Sequence, residues 1–215
     1  MSQGTPPTSG GPSPTWGDAP SHAGGFAPEF FRRPVGEVAR GLLGARLVST
    51  IGGTRTSGVI VETEAYGGKD DAASHAATLR GPTERNRAMY GPSGRVYVYR
   101  IYGVHWCVNV VTGREGEAQA VLIRGLEPLE GLEVMARRRS NRRPLTAGPG
   151  RLCEALGITG DLYGHDFCDP PLELKPGWSV PDHFVGVSGR IGVRAAADEP
   201  FRFYVLGSLG VSRGP

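Results

Sequence analysis

The chain has 215 residues, enough for one domain with a substantial core, and its net charge of +3 is too small to single out a class of partner. No apolar run reaches membrane-spanning length, and the N-terminal stretch lacks the charged and apolar regions of a signal peptide, so neither a membrane nor a secreted protein is expected. Cys107, Cys153 and Cys168 are odd in number and form no CxxC pair. This argues against a disulfide framework, a zinc site or an iron–sulfur cluster, and for a reduced, cytoplasmic protein without metal or cofactor. Lys69 and Lys175 are the only lysines among 24 basic residues. Arginine suits bidentate phosphate contacts, although a coding sequence rich in G and C would give the same bias.

Residues 1–25 are almost all Gly, Pro, Ser, Thr and Ala, and such a stretch buries too little to offset the entropy of ordering. A disordered tail is therefore predicted there, with the folded domain at 26–215. Pro34 opens a helix with Val35, Val38 and Leu42 at helical spacing and Gly44 as its stop. A strand at 46–51 and a Gly-Gly turn lead to a strand at 56–66. Its alternation puts Val59, Val61, Thr63 and Ala65 on a core face, and Glu62, Glu64 and Tyr66 on the other. Residues 70–81 read as a loop containing His75, and 83–89 as a short helix. Strands at 95–102 and 104–111 meet at Gly103, and another spans 119–125. Helices are predicted at 128–139, from Leu129, Leu132 and Met135, and at 148–156, stopped by Gly157. Short strands at 187–193 and 201–206 close the chain. The expectation is one compact α+β domain, a curved, mostly antiparallel sheet with flanking helices.

Several residues are candidates for chemistry. A carboxylate beside an aromatic at a strand end suits activation of water next to a planar substrate. Solvent-facing glutamates would look the same, and periodicity does not choose between Glu62 and Glu64. Tyr97, Tyr99 and Tyr102 suit cross-strand packing, but Tyr102, directly before Gly103 at a hairpin tip, also suits a wedge between base pairs. Asn109 interrupts a valine run and needs partners, structural or ligand. Arg124 ends an apolar strand and suits either an ion pair or a site. The cluster Arg137, Arg138, Arg139, Arg142 and Arg143 fits a helix C-terminus, given Glu127 and Glu130 at its start, or phosphate binding. Gly148, Gly150 and Arg151 precede a helix whose amides could hold a phosphate.

In order and spacing, IVETEAY at 60–66, DAASH at 71–75, RNRAMY at 85–90 and YVYRIYGVHWCVNVV at 97–111 resemble the alkyladenine (3-methyladenine) DNA glycosylase family. AVLIRGLEPLEG at 120–131, GPGRLCEALGI at 148–158 and RFYVLGS at 202–208 continue the match. The resemblance implies a fold related to the C-terminal domain of methionyl-tRNA formyltransferase. It further implies a monofunctional enzyme that flips alkylated or deaminated purines from double-stranded DNA and hydrolyses the glycosidic bond. By this resemblance Glu64 is the general base and Arg124 helps position the water. Tyr66, His75 and Tyr99 wall the base pocket, Asn109 lies at its floor, and Tyr102 fills the gap left in the duplex. A cationic alkylated base between aromatic rings would gain over a neutral one.

The chain departs from the family pattern at Tyr90, the loop 91–94, Arg100 and His105, which bears on substrate range. A lyase acting through Lys69, Lys175 or the amino terminus is a rival reading. A deaminase is disfavoured because the HxE and PCxxC zinc signature is absent. A catalytically silent binder of damaged DNA or structured RNA is the alternative from another class, and it would not need Glu64. A monomer associated with the nucleoid through DNA is expected.

Overall fold

The computed structural model describes residues 24–79 and 81–212, so the predicted tail lies outside the described residues except for its last two. The chain opens with α1 (Pro28–Phe31), α2 (Val35–Gly41), β1 (Arg46–Ser49), β2 (Thr56–Tyr66) and α3 (His75–Thr78). Three strands follow, β3 (Val96–Ile101), β4 (His105–Thr112) and β5 (Gln119–Glu130), then the helices α4 (Leu132–Arg138) and α5 (Pro149–Leu156). The chain continues through β6 (Leu172–Lys175), β7 (Val185–Ser188) and β8 (Arg202–Val205). The strands form a sheet in the order β3-β4-β5-β2-β1-β6, with every pair antiparallel. The class is α+β, as the sequence predicts. Among the described residues no helix is long and apolar enough to cross a membrane.

The long strand β2 organises the sheet. One edge pairs along its length with β5; the other pairs first with β1 (Val59↔Arg46) and then with β8 (Glu62↔Tyr204, Glu64↔Arg202). In the ladder with β5 the register slips on both sides of Glu62↔Gly125, leaving Val61 and Arg124 without a direct partner. The side-chain alternation changes phase at this bulge. Val59 and Val61 pack with Leu43, Val180 and Val205, whereas Ile60 and Ala65 belong to the main core with α2 and α5. Thr63 also faces α2, donating its hydroxyl to the Ala39 carbonyl. The simple alternation predicted for 56–66 is therefore corrected: both faces of the strand are buried, and Glu62 and Glu64 are 0% exposed.

Other differences have local causes. The helix predicted from Pro128 begins at Leu132, because residues 128–130 continue β5 against Ser57 and Gly58, and Gly131 turns the chain at φ 73°. Glu127 and Glu130 thus lie on a strand, Glu130 accepting from Ser57 Oγ and Arg55 Nε, and Glu133 occupies the first helical turn instead. The loop at 70–81 contains α3, capped by the Ser74 hydroxyl, which accepts from the Ala76 N–H. The strand expected at 187–193 ends at Ser188, where Gly189 passes so close to the Ala197 carbonyl that a Cβ would sit 2.1 Å from its oxygen. Neither α1 nor β6 was foreseen.

Candidate active site

A cavity of about 440 Å³ opens where β2, β3, β4 and β5 meet α3 and the loop after Ser188. Its aromatic walls come from strand alternation. Tyr97 and Tyr99, two apart on β3, stack with centroids 5.4 Å apart, and His75 at the start of α3 stands edge-on to Tyr99 at 4.5 Å. His75 Nδ1 lies 2.7 Å from the Tyr97 hydroxyl. Burial, reinforced by the charge of Arg85, lowers the imidazole from 6.5 to about 4, so the ring is neutral at physiological pH. Asn109, buried on β4, donates from Nδ2 to the Tyr97 carbonyl at 3.0 Å, which fixes its amide at the cavity wall.

Behind Tyr66, Arg124 and Ile191, all lining the cavity, lies the carboxylate of Glu64. Its Oε2 accepts from the Tyr66 hydroxyl at 2.9 Å and from Arg124 Nη1 at 3.1 Å, and its Oε1 from the Ile191 N–H at 2.7 Å. Burial raises this carboxyl above the ordinary glutamate value, and Glu62 adds to the rise. Arg124, the Ile191 N–H and the Tyr66 hydroxyl act against it. Burial and the adjacent Glu64 together push the Tyr66 phenol well up, so it remains a donor. A buried carboxylate with a raised proton affinity, set directly behind the wall of an aromatic cavity, has the chemistry to take a proton from water.

Glu62, which periodicity could not separate from Glu64, has different company. Its Oε1 accepts from Arg124 Nε at 3.1 Å, Arg202 Nε at 2.7 Å and the Ser212 hydroxyl at 2.8 Å, while Oε2 accepts from the Ser212 N–H at 2.6 Å. Neither glutamate itself lines the cavity, but only Glu64 is bonded to Tyr66 and to the Ile191 N–H, both from residues that do. Arg124 bridges the two glutamates, and its charge is shared between them.

Tyr102 stands at the β3–β4 turn, 84% exposed, and also borders the cavity mouth. Tyr102 and Gly103 both take positive φ, 51° and 70°, and the Val104 N–H closes the turn on the Ile101 carbonyl. A tyrosine in the left-handed region is uncommon, and here it aims a large aromatic ring into solvent.

The predicted basic cluster is not brought to the cavity. Arg138 donates to the carbonyls of Ile51 and Ala155, and Arg139 and Arg142 both pair with Glu154. Within this cluster only the side chains of Arg137 and Arg143 make no hydrogen bond or ion pair among the described residues. Gly148 uses its N–H on the Arg124 carbonyl, and Gly150 packs closely, since a Cβ there would meet the His105 side chain at 3.0 Å. Arg151 reaches back to the Ala147 carbonyl, and Pro149 borders the cavity. Among the described residues no group of three or more His, Cys, Asp or Glu is placed to hold a metal.

Two participants escaped the sequence reading. Tyr97 was grouped with strand packing, yet its hydroxyl orients His75. Arg190, fully buried in its side chain, is clamped by Asp71 and the Ala65 carbonyl and lies over the Tyr66 ring, 5.0 Å from its centroid. No periodicity marks a single arginine in a loop, and only the DAASH motif hinted at Asp71.

The methylpurine-DNA glycosylase family model matches residues 29–209. A protein of Myxococcus xanthus is 50% identical over 189 residues, covering 86% of this chain and 92% of its own length. One of Methanoculleus marisnigri is 50% identical over 190 residues, covering 86% and 96%, and one of Chlorobaculum parvum 44% over 187, covering 86% and 88%. All three bear the name "Putative 3-methyladenine DNA glycosylase". The matched span includes Glu64, Arg124 and the aromatic cavity, and the chain belongs to the methylpurine-DNA glycosylase family and is a DNA glycosylase of base excision repair.

Proposed function

We propose that the enzyme is a monofunctional hydrolase that extrudes a damaged purine from duplex DNA into the cavity and leaves an abasic site. Tyr102 enters the duplex and occupies the vacated position. The purine lies among Tyr66, His75 and Tyr99, with Asn109 at the floor. Water held by Glu64 and Arg124 attacks C1′ as the bond to the base nitrogen breaks. Its proton passes to Glu64, the bonding pair leaves with the base, and a neutral base takes a proton from solvent. Positive charge developing on the sugar is stabilised by the Glu64 carboxylate. Arg137, Arg143 and Arg151 are the arginines of the basic segments best placed to meet phosphates, since Arg138 and Arg139 are tied to internal partners and the exposed Arg142 is already paired with Glu154. The reading includes a monomer acting at the nucleoid and a curved sheet related to the methionyl-tRNA formyltransferase C-terminal domain.

The observation that carries the mechanism is the buried Glu64 carboxylate, bonded to two side chains that themselves line the cavity. End-labelled duplexes, each with one lesion, test it by excision with wild type beside Glu64→Gln. Strand breakage by wild type only after hot alkali supports it. Breakage without alkali would point to a lyase, and retained activity in Glu64→Gln would remove Glu64 from the mechanism. Tight binding without any cleavage would favour a silent binder.

A further inference from the structure

The stretch 191–195 forms one side of the cavity without belonging to a helix or strand. Among the described residues its one hydrogen bond runs from the Ile191 N–H to Glu64 Oε1, at 2.7 Å. That bond requires a fixed Ile191 amide, and the residue directly before it supplies the hold. Arg190 Nη1 donates to the Ala65 carbonyl at 2.9 Å, and Nη2 donates to Asp71 Oδ1 at 2.8 Å and to the Ala196 carbonyl at 3.2 Å. Nη1 also meets Asp71 Oδ2, so the guanidinium is forked onto the carboxylate. It lies over two rings as well, 5.0 Å from the Tyr66 centroid and 5.2 Å from that of Phe201. Asp71 is fixed in turn, accepting from the Gly67 N–H at 2.9 Å and the Ala73 N–H at 3.0 Å. The two side chains are 0% and 4% exposed, and neither lines the cavity. One buried pair therefore joins the end of β2, the loop that leads to His75 and the stretch 191–195.

We propose that Arg190 and Asp71 are positioning residues for Glu64. The forked pair fixes the peptide between Arg190 and Ile191, so that the Ile191 N–H meets Oε1, and it steadies the Tyr66 ring, whose hydroxyl meets Oε2. The inference rests on the glycosylase reading above. A lysine at 190 would keep the charge but not the hold, because an ammonium presents its donors from one point and has no plane to fork or to stack. Loss of the Ile191 bond takes a donor from the Glu64 carboxylate and so raises its proton affinity. For a bond to a charged group the change corresponds to about one pH unit.

The test measures single-turnover excision against pH for wild type, Arg190→Lys and Asp71→Asn, with Tm beside it. Both variants should move the midpoint of the pH–rate profile upward by about one pH unit. Charge alone predicts otherwise. Arg190→Lys keeps the positive charge and would leave the midpoint in place, and Asp71→Asn removes a negative charge and would lower it. Hydrogen exchange at the Ile191 amide, read by NMR, should quicken about tenfold or more in both variants. The double variant should move the midpoint no further than either single one, since both break the same hold. A midpoint unmoved or lowered, or Ile191 exchange as slow as in wild type, overturns the proposal whatever happens to Tm, and leaves the pair a structural tie. If Arg190→Lys does not fold, Asp71→Asn decides by the same two readouts, because it keeps the shape of the side chain. If wild type excises nothing, or Glu64→Gln excises as well as wild type, the glycosylase mechanism falls, and Ile191 exchange still shows whether the pair holds that amide. Excision that depends on Glu64 with an unmoved profile in both variants sinks only the role of Arg190 and Asp71.

Discussion

Glu62 and Glu64 are two residues apart, both fully buried and both bonded to Arg124, yet their amide variants should fail in opposite ways. In Glu62→Gln, one oxygen that faces fixed donors becomes an NH2 group. Oε1 faces Arg124 Nε and Arg202 Nε, and Oε2 faces the Ser212 N–H; none of these can reverse its polarity. Only the Ser212 hydroxyl can turn. Breaking a buried ionic cluster in this way costs about 3–5 kcal/mol. For a domain of this size that is a fall in Tm of about 6–20 °C. Glu64→Gln also sets an NH2 group against a fixed donor, Arg124 Nη1 on Oε2 or the Ile191 N–H on Oε1, but each of its oxygens faces one such donor, whereas Glu62 Oε1 faces two. Folding raises the Glu64 carboxyl, so the folded state holds its proton more tightly than the unfolded chain does. Ionisation of Glu64 at neutral pH therefore opposes folding, and a neutral amide removes that opposition. The net loss should stay near about 1–2 kcal/mol, smaller than for Glu62→Gln, while excision is lost. Urea unfolding and single-turnover excision on the same preparations settle it. Equal destabilisation by both variants, or an unshifted midpoint in Glu62→Gln, would refute the division into scaffold and base.

Three further predictions follow from the same geometry. Excision should rise with pH as Glu64 ionises, with a midpoint above the ordinary glutamate value of 4.5; Tyr66→Phe deletes a bond that lowers it, so the pH–rate profile should shift upward. His75 is held near 4 in the fold against 6.5 when unperturbed, so the unfolded chain takes the proton first. Stability should then drain away below about pH 6.5 until about pH 4, and Tm measured against pH should be flatter for His75→Gln. Tyr102→Ser should leave Tm within about 2 °C, since the ring is exposed, yet slow excision from duplex DNA about tenfold or more; unchanged excision would rule out the wedge.

Much of the site was legible because its residues sit on long, regular strands. The alternation of β3, the Tyr102-Gly103 turn and the Gly148 and Gly157 borders of α5 all follow local rules, and the structure keeps them. What failed was decided at a distance. Nothing in ETE says that Ser212 and Arg202 will cover the Glu62 side, so solvent-facing glutamates were as reasonable as buried ones. The bulge at Glu62 has no signature in its own strand; its trace is Gly125 opposite, where a Cβ would strike the Gly210 carbonyl at 2.3 Å. Leu129 fell at helical spacing from Leu132 by coincidence, and tertiary pairing with β2 outweighed it. The arginine cluster looked like one surface, but side-chain direction sorted it into internal ties and free ends.

The Ser212 contact also bears on the order in which the molecule can become active. Ser212 is 150 positions from Glu62, and both its backbone and its hydroxyl hold that carboxylate. The walls of the cavity, β2 through β5, can pair through contacts of far shorter span, and loop closure favours those first. Arg124 meets Glu62 and Glu64 through that same pairing, whereas the hydrogen bonds joining Ser212 to Arg124 and Glu62 form only when the C-terminal segment docks. Until that closure the ion cluster behind the cavity is incomplete, which ties the final setting of Glu62 and Arg124 to the completion of the fold.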